Sequence, residues 1–219
     1  MRALAQGNKY TYTYNNSWYL GKPLFLDEYN IYAAYFPSGI NLQMTYIGAV
    51  FMASCHKYLA ESGVNVSNSW NAKDSFYGLI PYGVDTVTLS GQVFNWTNHH
   101  FIGSVANTSV SNSSIIDLFA VTPSRGSYSL YVINKLNSTV DVSISADIDW
   151  LSTSSGYTVI GESIDIGGYN PTASQYSNVN GTLTVTLQGC AVLFLRSQSA
   201  SQQTSSSSDG TRLIPSWFL

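Results

Sequence analysis

The spacing of apolar residues changes along the chain, and each spacing predicts a different element. Residues 24–26 form a short, wholly apolar run, typical of a strand buried on both faces as in a parallel sheet. Between residues 40 and 62 the apolar positions recur at steps of three and four, which predicts a helix that ends before Gly63. From residue 107 onward the spacing is that of strands.

Further elements are predicted on either side of that helix. Residues 1–20 alternate weakly and favour a strand or an irregular loop. Residues 64–71 alternate more clearly, which predicts a strand with Trp70 near its end. Residues 86–89 favour a short strand inside a long loop, and the aromatic-rich residues 92–105 favour a last helix.

The C-terminal half is predicted to be a β-sandwich followed by a tail. Its predicted strands cover residues 113–121, 128–134, 140–148, 157–160, 183–187 and 190–195. Turn residues separate these strands at short spacing, which predicts antiparallel packing. Residues 197–211 are rich in Ser and Gln and favour a flexible linker. Residues 212–219 turn apolar again but fall short of the roughly 20 residues that span a membrane, so any membrane or cell-surface anchor would lie beyond the C-terminus.

Composition favours an extracellular protein. Hydrophobic residues make up 44% of the 219 residues, enough to bury a core, but charged residues make up 10%, against roughly 25% in typical soluble proteins. The net charge of -3 provides no basic face, which argues against nucleic acid as a partner. The chain carries seven Asn-X-Ser/Thr sequons, at Asn15, Asn65, Asn95, Asn107, Asn112, Asn137 and Asn180. Together these features predict a secreted or cell-surface glycoprotein.

The N-terminal residues conflict with that location. They contain no apolar signal core, although the composition indicates export. We therefore expect the natural N-terminus to lie upstream, with this chain as a C-terminal piece.

Cysteines and histidines do not suggest a metal site or a cofactor. Cys55 and Cys190 lie far apart, and two interpretations stay open: a disulfide that joins the helix to the sandwich, or two buried free thiols. No Cys/His spacing matches a metal site, and we expect no cofactor. We interpret His56, near the end of the first helix, and the pair His99-His100 as structural.

The candidate chemistry directly follows the apolar run. Asp27 and Glu28 come next, with Tyr29 and Asn30 behind them. A buried strand that ends in acids is a common way to build an active site at the carboxyl ends of barrel strands. The alternative is that Asp27 caps a helix and Glu28 is merely solvated. The apolar strand and the following Tyr-Asn pair favour chemistry.

This stretch carries a family resemblance. Residues 23–30, Pro-Leu-Phe-Leu-Asp-Glu-Tyr-Asn, resemble the seventh-strand nucleophile motif of clan A retaining glycoside hydrolases, which are built on a (β/α)8 barrel. The layout that follows is similar to family 44 endoglucanases and to arabinofuranosidase and xylosidase families with sandwich tails.

The resemblance implies roles for four side chains. Glu28 would be the catalytic nucleophile. Tyr29 and Asn30 would orient its carboxylate or contact sugar hydroxyls. Trp70, at the end of the eighth strand, would form the floor of the sugar-binding subsite, because its ring offers a flat apolar face. Core packing remains the alternative for Trp70.

The expected fold class is α+β and mostly β. The resemblance implies a partial barrel with the last βα units over residues 1–106, an antiparallel β-sandwich over 107–196, and a linker and tail over 197–219. The expected function is the C-terminal portion of a secreted retaining glycoside hydrolase acting on a polysaccharide. Two other classes stay open: a non-catalytic extracellular β-sandwich glycoprotein, and a carbohydrate-binding module.

The second carboxyl group is missing from this reading. Retaining glycosidases need two carboxyl groups about 5 to 5.5 Å apart. The resemblance expects the acid/base in an Asn-Glu pair after the fourth strand, and the sequence has no Asn-Glu pair. Glu61 and Glu162 are not placed like it, and Asp27 would point away from Glu28 on a regular strand. We therefore expect that the isolated chain is not a competent hydrolase.

Overall fold

The structure is a computed structural model. It describes residues 24–31, 42–74, 78–123, 127–146, 157–176, 178–179 and 181–199, a few of them by their backbone alone. The predicted N-terminal strand or loop, most of the predicted linker, the apolar tail and the sequons at Asn15 and Asn180 lie outside these residues.

The first described elements form a βαβ unit. Strand β1, Phe25–Tyr29, is followed by a 3-10 turn, Leu42–Met44, helix α1, Tyr46–Glu61, and strand β2, Val66–Ser69. The two strands pair in parallel, so α1 runs back between them in the opposite direction. The helix ends as predicted: Gly63 has a φ of 71°, which glycine adopts without strain.

Helix α2, Leu89–His100, starts earlier and ends earlier than the predicted helix over 92–105. The predicted strand over 86–89 is wrong, because the Thr88 side chain accepts a hydrogen bond from the Gly91 amide at 3.0 Å and caps the helix. Residues 103–105 belong instead to a short strand, β3, Gly103–Val105.

The remaining strands form two antiparallel sheets. They are β4, Ile116–Pro123, β5, Ser129–Asn134, β6, Val140–Ser145, β7, Tyr157–Asp165, β8, Gly168–Tyr176, β9, Asn178–Val179, β10, Thr182–Leu187, and β11, Ala191–Ser199. One sheet has the order β3-β4-β5-β11-β7-β8 and the other β6-β10-β9.

The large sheet is the middle layer of three. On one face Leu130, Val132 and Leu193 pack against Leu183 and other residues of the small sheet. On the opposite face, a second cluster contains residues of both helices and of the large sheet: Ala49, Met52, Val93, Trp96, Tyr131, Ile133 and Phe194. All six residues of β5 are therefore buried.

A buried ion pair joins the first helix to this middle layer. The Asp117 side chain on β4 is 2% exposed and lies 3.1 Å from Lys135 Nζ. The Tyr58 hydroxyl of α1 donates to the same carboxylate at 3.1 Å. The helix layer is thus held to the sandwich by polar as well as apolar contacts.

The described residues confirm a mostly β chain with antiparallel sheets, and they form no closed barrel. Strand β8 was not predicted, and β11 continues into residues 197–199, where the linker was expected to begin. The partial barrel and the domain limits stay predictions.

Candidate active site

The end of strand β1 is irregular where the two acids lie. Leu26 pairs with Ser67 and Tyr29 with Ser69, so two residues of β1 lie opposite one residue of β2. These two residues are Asp27 and Glu28, and both side chains are exposed. Such a β-bulge interrupts the regular alternation of side chains. The premise of a regular strand, on which Asp27 was expected to point away from Glu28, therefore does not apply at these two residues.

The end of strand β2 is tied to the end of β1. The Trp70 amide donates to the Tyr29 carbonyl at 3.0 Å, and the Asn30 side-chain amide donates to the Trp70 carbonyl. The Trp70 side chain is 47% exposed. Because the strands are parallel, Glu28 and Trp70 lie at the same, carboxyl, end of the sheet.

The loop after Trp70 is anchored to the start of helix α2. The Asn71 side chain donates to Asp74 Oδ2 at 3.1 Å, and the Leu79 amide donates to the Asn71 carbonyl at 3.0 Å. Leu79 in turn packs against the helix start, where a Cβ at Gly91 would lie 2.5 Å from the Leu79 carbonyl oxygen. These contacts hold the backbone beside Trp70 in place.

Tyr29 points its hydroxyl away from the exposed acids. Its Oη lies 2.9 Å from His56 Nε2 on α1, and His56 Nδ1 lies 2.6 Å from Thr97 Oγ1 on α2. Thr97 Oγ1 is in turn 3.0 Å from Tyr131 Oη in the core of the large sheet. A series of close polar contacts thus runs from the end of β1 through both helices to the sandwich.

Burial shifts the pKa values of the titratable side chains in this series of contacts. The His56 side chain is 8% exposed, and loss of solvation lowers the pKa of His56 to about 4. Burial raises the pKa values of Tyr29 and Tyr131 above the usual value for tyrosine. At neutral pH all three groups are therefore uncharged.

The other two glutamates lie elsewhere. Glu61 is the last residue of α1 and pairs with Lys57 at 2.6 Å. Because α1 runs antiparallel to the strands, this residue lies at the opposite end of the sheet from Glu28. Glu162 Oε2 accepts hydrogen bonds from Trp96 Nε1 at 3.3 Å and from Tyr169 Oη at 2.5 Å, between α2 and the sandwich.

The cysteines and histidines take the following positions. Cys55 and Cys190 are both free thiols, and burial raises the pKa of the Cys55 thiol to about 12. His99 Nδ1 lies 2.9 Å from the Asn95 carbonyl oxygen, and the His100 ring stacks on Phe194 at 5.1 Å. The described part of the chain contains no group of three His, Cys, Asp or Glu side chains that could hold a metal ion. None of its helices is long and apolar enough to cross a membrane.

The structure brings the four predicted site residues together. Glu28, Tyr29 and Asn30 lie at one strand end, and Trp70 is hydrogen-bonded to it through its backbone. Sequence reasoning missed the contact of His56 with this group. A signal for it exists: His56 follows the buried Met52 and Ala53 by four and three residues, on the inner face of α1.

Sequence comparisons give no match, whereas solved structures do. No protein-family profile and no curated protein matches the chain. A bifunctional glucanase-xylanase from a metagenome library matches with a TM-score of 0.60 at 17% identity, over 91% of this chain and 34% of its own. A glycoside hydrolase family 44 endoglucanase from Clostridium acetobutylium ATCC 824 matches with a TM-score of 0.67 at 15% identity, over 87% and 35%.

A third structure extends the likeness to another family. The GH51 alpha-L-arabinofuranosidase from Thermotoga petrophila RKU-1 matches with a TM-score of 0.67 at 13% identity, over 89% of this chain and 47% of its own. The chain thus spans between a third and half of the length of these three enzymes. At such identities the likeness concerns the fold. The resemblance drawn from residues 23–30 is confirmed at that level: the chain shares its fold with part of the clan A glycoside hydrolases.

Proposed function

We propose that this chain is the C-terminal portion of a retaining glycoside hydrolase and that Glu28 is its nucleophile. The observation that carries the proposal is the position of Glu28: its exposed side chain lies next to the last residue of β1, a strand of a parallel pair, at the end where Trp70 is also exposed. Barrel enzymes carry their chemistry at this end of parallel strands. The proposal includes the partial barrel, of which β1, α1 and β2 would be one unit.

The chemistry would be a double displacement. The ionised Glu28 carboxylate attacks the anomeric carbon, the glycosidic bond breaks, and a glycosyl ester forms on Glu28. Water then attacks the same carbon and releases the carboxylate. The exposed Trp70 ring would stack on the apolar face of the sugar, and Asn30, bonded to the Trp70 carbonyl, would hold the two strand ends together.

The leaving oxygen needs a proton, and neither of the other two glutamates supplies it at this strand end in the described residues. Glu61 lies at the far end of the sheet and Glu162 accepts two hydrogen bonds beside α2, so neither side chain is next to Glu28. Asp27 is the nearest acid in sequence, and the bulge leaves it exposed. We propose that the acid/base comes from polypeptide outside the described residues. Asp27 is the alternative acid/base to be tested first.

Polysaccharides are the proposed substrate class. The matching structures are named as a glucanase-xylanase, an endoglucanase and an arabinofuranosidase. The proposal names no single sugar or linkage, because the loops that would select among them belong to other strands.

An extracellular location is part of the proposal. The five sequon asparagines within the described residues are all exposed: Asn65, Asn95, Asn107, Asn112 and Asn137. Exposure is what a glycan acceptor requires. Mass spectrometry of the protein from its natural source should find glycan on peptides that contain Asn112 or Asn137; unmodified peptides at every sequon would remove this part of the proposal. A cell-surface anchor near the apolar tail stays a prediction.

The rival carbohydrate-binding module has less support. It requires a row of exposed aromatic side chains on the sandwich. The strongly exposed aromatic side chains that the structure describes are Phe25, Trp70 and Tyr82, and all three precede the sandwich. A non-catalytic glycoprotein would not explain why an exposed Glu28 and an exposed Trp70 lie at the same end of the parallel strands.

Activated 2-deoxy-2-fluoroglycosides test Glu28 directly. Their dinitrophenolate leaving group departs without protonation, so labelling needs a nucleophile but no acid/base. We expect the intact 219-residue chain to gain the mass of one 2-fluoroglycosyl group on the peptide that contains Glu28. The glucosyl, xylosyl, cellobiosyl and arabinofuranosyl reagents should be compared.

Two matched variants interpret that result. Glu28→Gln should abolish labelling, because the amide is not a nucleophile. Asp27→Asn, a change of the same size at the neighbouring exposed acid, should leave labelling of Glu28 intact. Label on Asp27, or label that survives Glu28→Gln, would refute the assignment of the nucleophile.

A further inference from the structure

Tyr29 holds together the two strand ends of the candidate site. Its carbonyl oxygen accepts the Trp70 amide at 3.0 Å, and its peptide neighbour on the N-terminal side is Glu28. Its hydroxyl is the group that reaches into the protein, to His56 Nε2 at 2.9 Å. Tyr29 therefore links the buried side of the protein to the backbone that carries Glu28 and pairs with Trp70.

The hydrogens in the contacts from Tyr29 through His56 to Thr97 can be assigned by starting at the Val93 carbonyl oxygen. Thr97 Oγ1 and Tyr131 Oη both donate to the Val93 carbonyl oxygen, at 3.1 and 3.0 Å. The Thr97 hydroxyl has one hydrogen; when that hydrogen is donated to Val93, Thr97 Oγ1 accepts from His56, in the tautomer with the proton on Nδ1. His56 Nε2 is then an acceptor for the Tyr29 hydroxyl. Each of these donors has an acceptor, and the direction of every bond is set by the helix carbonyl.

We propose that His56 is a positioning residue of this site, which acts through Tyr29 to fix the strand end bearing Glu28 and the backbone of Trp70. The inference deepens the proposed function and rests on it for the role of Glu28. The bulge makes such a support necessary, because Asp27 and Glu28 interrupt the regular pairing between Leu26 and Tyr29. A buried neutral imidazole with both nitrogens bonded is well suited to hold one orientation.

Amide hydrogen exchange of Trp70 tests the positioning without any substrate. His56→Leu and Tyr29→Phe each remove the contact between the side chains, so the strand end should open more often. Exchange of the Trp70 amide, relative to amides of β5, should rise roughly fivefold to tenfold, as expected for one lost hydrogen bond. In the double variant the Trp70 amide should exchange no faster than in either single variant, because both changes remove the same hydrogen bond.

Two control variants separate positioning from general stability. His56→Gln retains a hydrogen-bond acceptor, the side-chain carbonyl oxygen, and a donor, the side-chain NH2 group. Exchange of the Trp70 amide should therefore stay within about twofold of the wild type. Tyr58→Phe removes a hydrogen bond from the same helix to Asp117, far from the strand ends. It should lower stability and leave the relative exchange of Trp70 unchanged.

The labelling reaction supplies the second arm. In His56→Leu and Tyr29→Phe the rate constant of fluoroglycoside labelling at saturation should fall roughly fivefold to tenfold, with a smaller change in the reagent concentration at half saturation. In His56→Gln and in Tyr58→Phe the rate constant of labelling should stay close to that of the wild type.

The outcomes are distinct. Unchanged Trp70 exchange in both His56→Leu and Tyr29→Phe overturns the positioning role, whatever the labelling shows. Changed exchange with unchanged labelling also overturns it, since the contact would then be structural only. If the wild type is not labelled at all, the proposed nucleophile fails, and the exchange data alone decide whether His56 holds the strand ends.

Discussion

His56 illustrates at the scale of one residue how burial determines chemical behaviour. The sequence favours a structural role for His56, and the structure places a buried imidazole there with a hydrogen-bonding partner at each nitrogen. The lowered pKa follows from desolvation of the charged form. The titratable group bonded to the ring is Tyr29, whose own pKa is raised by burial, so that it is neutral at neutral pH.

The lowered pKa of His56 predicts a loss of stability in acid. The folded value is about 4 and the reference value 6.5, so between these pH values the unfolded chain binds more protons. The free energy of unfolding is then fully retained above pH 6.5 and falls as the pH drops towards 4, by on the order of 3 kcal/mol from this group. Urea unfolding between pH 7 and pH 4 measures the slope.

Variants identify the source of that slope. His56→Gln does not titrate and should make the pH dependence clearly shallower. A part should remain, because desolvation also lowers the pKa of His100 to about 4. Equal slopes in His56→Gln and wild type would show that His56 does not cause the acid sensitivity.

Attachment of helix α1 to the sandwich is decided at the scale of elements. The helix packs closely on its surroundings: a Cβ at Gly48 would lie 2.6 Å from Ser90 Oγ of α2. At its other end Tyr58 reaches the buried pair of Asp117 and Lys135. The βαβ unit is therefore held at both ends of α1, by close backbone packing near the candidate site and by a polar contact away from it.

Neutralising Asp117 should weaken this attachment strongly. Asp117→Asn keeps the shape of the side chain but leaves the Lys135 ammonium, 11% exposed, without its counter-charge. Breaking a buried pair in this way costs about 3 kcal/mol or more. Thermal or urea unfolding measures the change.

Asp141→Asn is the matched control for that experiment. Asp141 is an exposed aspartate on β6 that accepts a hydrogen bond from Thr186 at 2.6 Å. Its replacement should change stability by no more than about 0.5 kcal/mol. Similar losses of stability in the two variants would show that the buried Asp117–Lys135 pair contributes no more than an exposed aspartate.

At the scale of the whole molecule, the described residues form two packed antiparallel sheets, with the βαβ unit and helix α2 against the larger sheet. The parallel pair β1–β2 has two strands, whereas parallel sheets normally bury both faces. Phe25 and Val66, which pair across it, are 61% and 42% exposed. This exposed apolar surface agrees with the proposal that the site is completed by further polypeptide.

The isolated chain should therefore not release sugar from polysaccharides. Alkoxide leaving groups need protonation, and neither Glu61 nor Glu162 lies next to Glu28 in the described residues. We expect no reducing sugar from xylan, xyloglucan or carboxymethylcellulose with the 219-residue chain, even if activated fluoroglycosides label Glu28. Release that is lost in Glu28→Gln would show that an acid/base, with Asp27 the first candidate, is already present.

Local patterns in the sequence were sufficient for much of the fold. The three- and four-residue spacing predicted α1 and its end at Gly63, and alternation predicted β2, β5 and β10, because these signals depend on neighbouring residues alone. The acids after an apolar run gave the location of the candidate site. Strand β8 was missed because its sequence, with a proline and a glycine, reads as a turn; an edge strand tolerates both.

Contacts between distant residues decided the rest. The bulge at Asp27 and Glu28 exists because β1 pairs with a strand some forty residues away, and the Tyr29–His56 bond joins residues 27 positions apart. The complete burial of β5 likewise requires helices on one face and a second sheet on the other. A periodic sequence records which side of an element is apolar, but the partner that covers that side, and the side chain that meets a given nitrogen or carboxylate, are set only when the chain has folded.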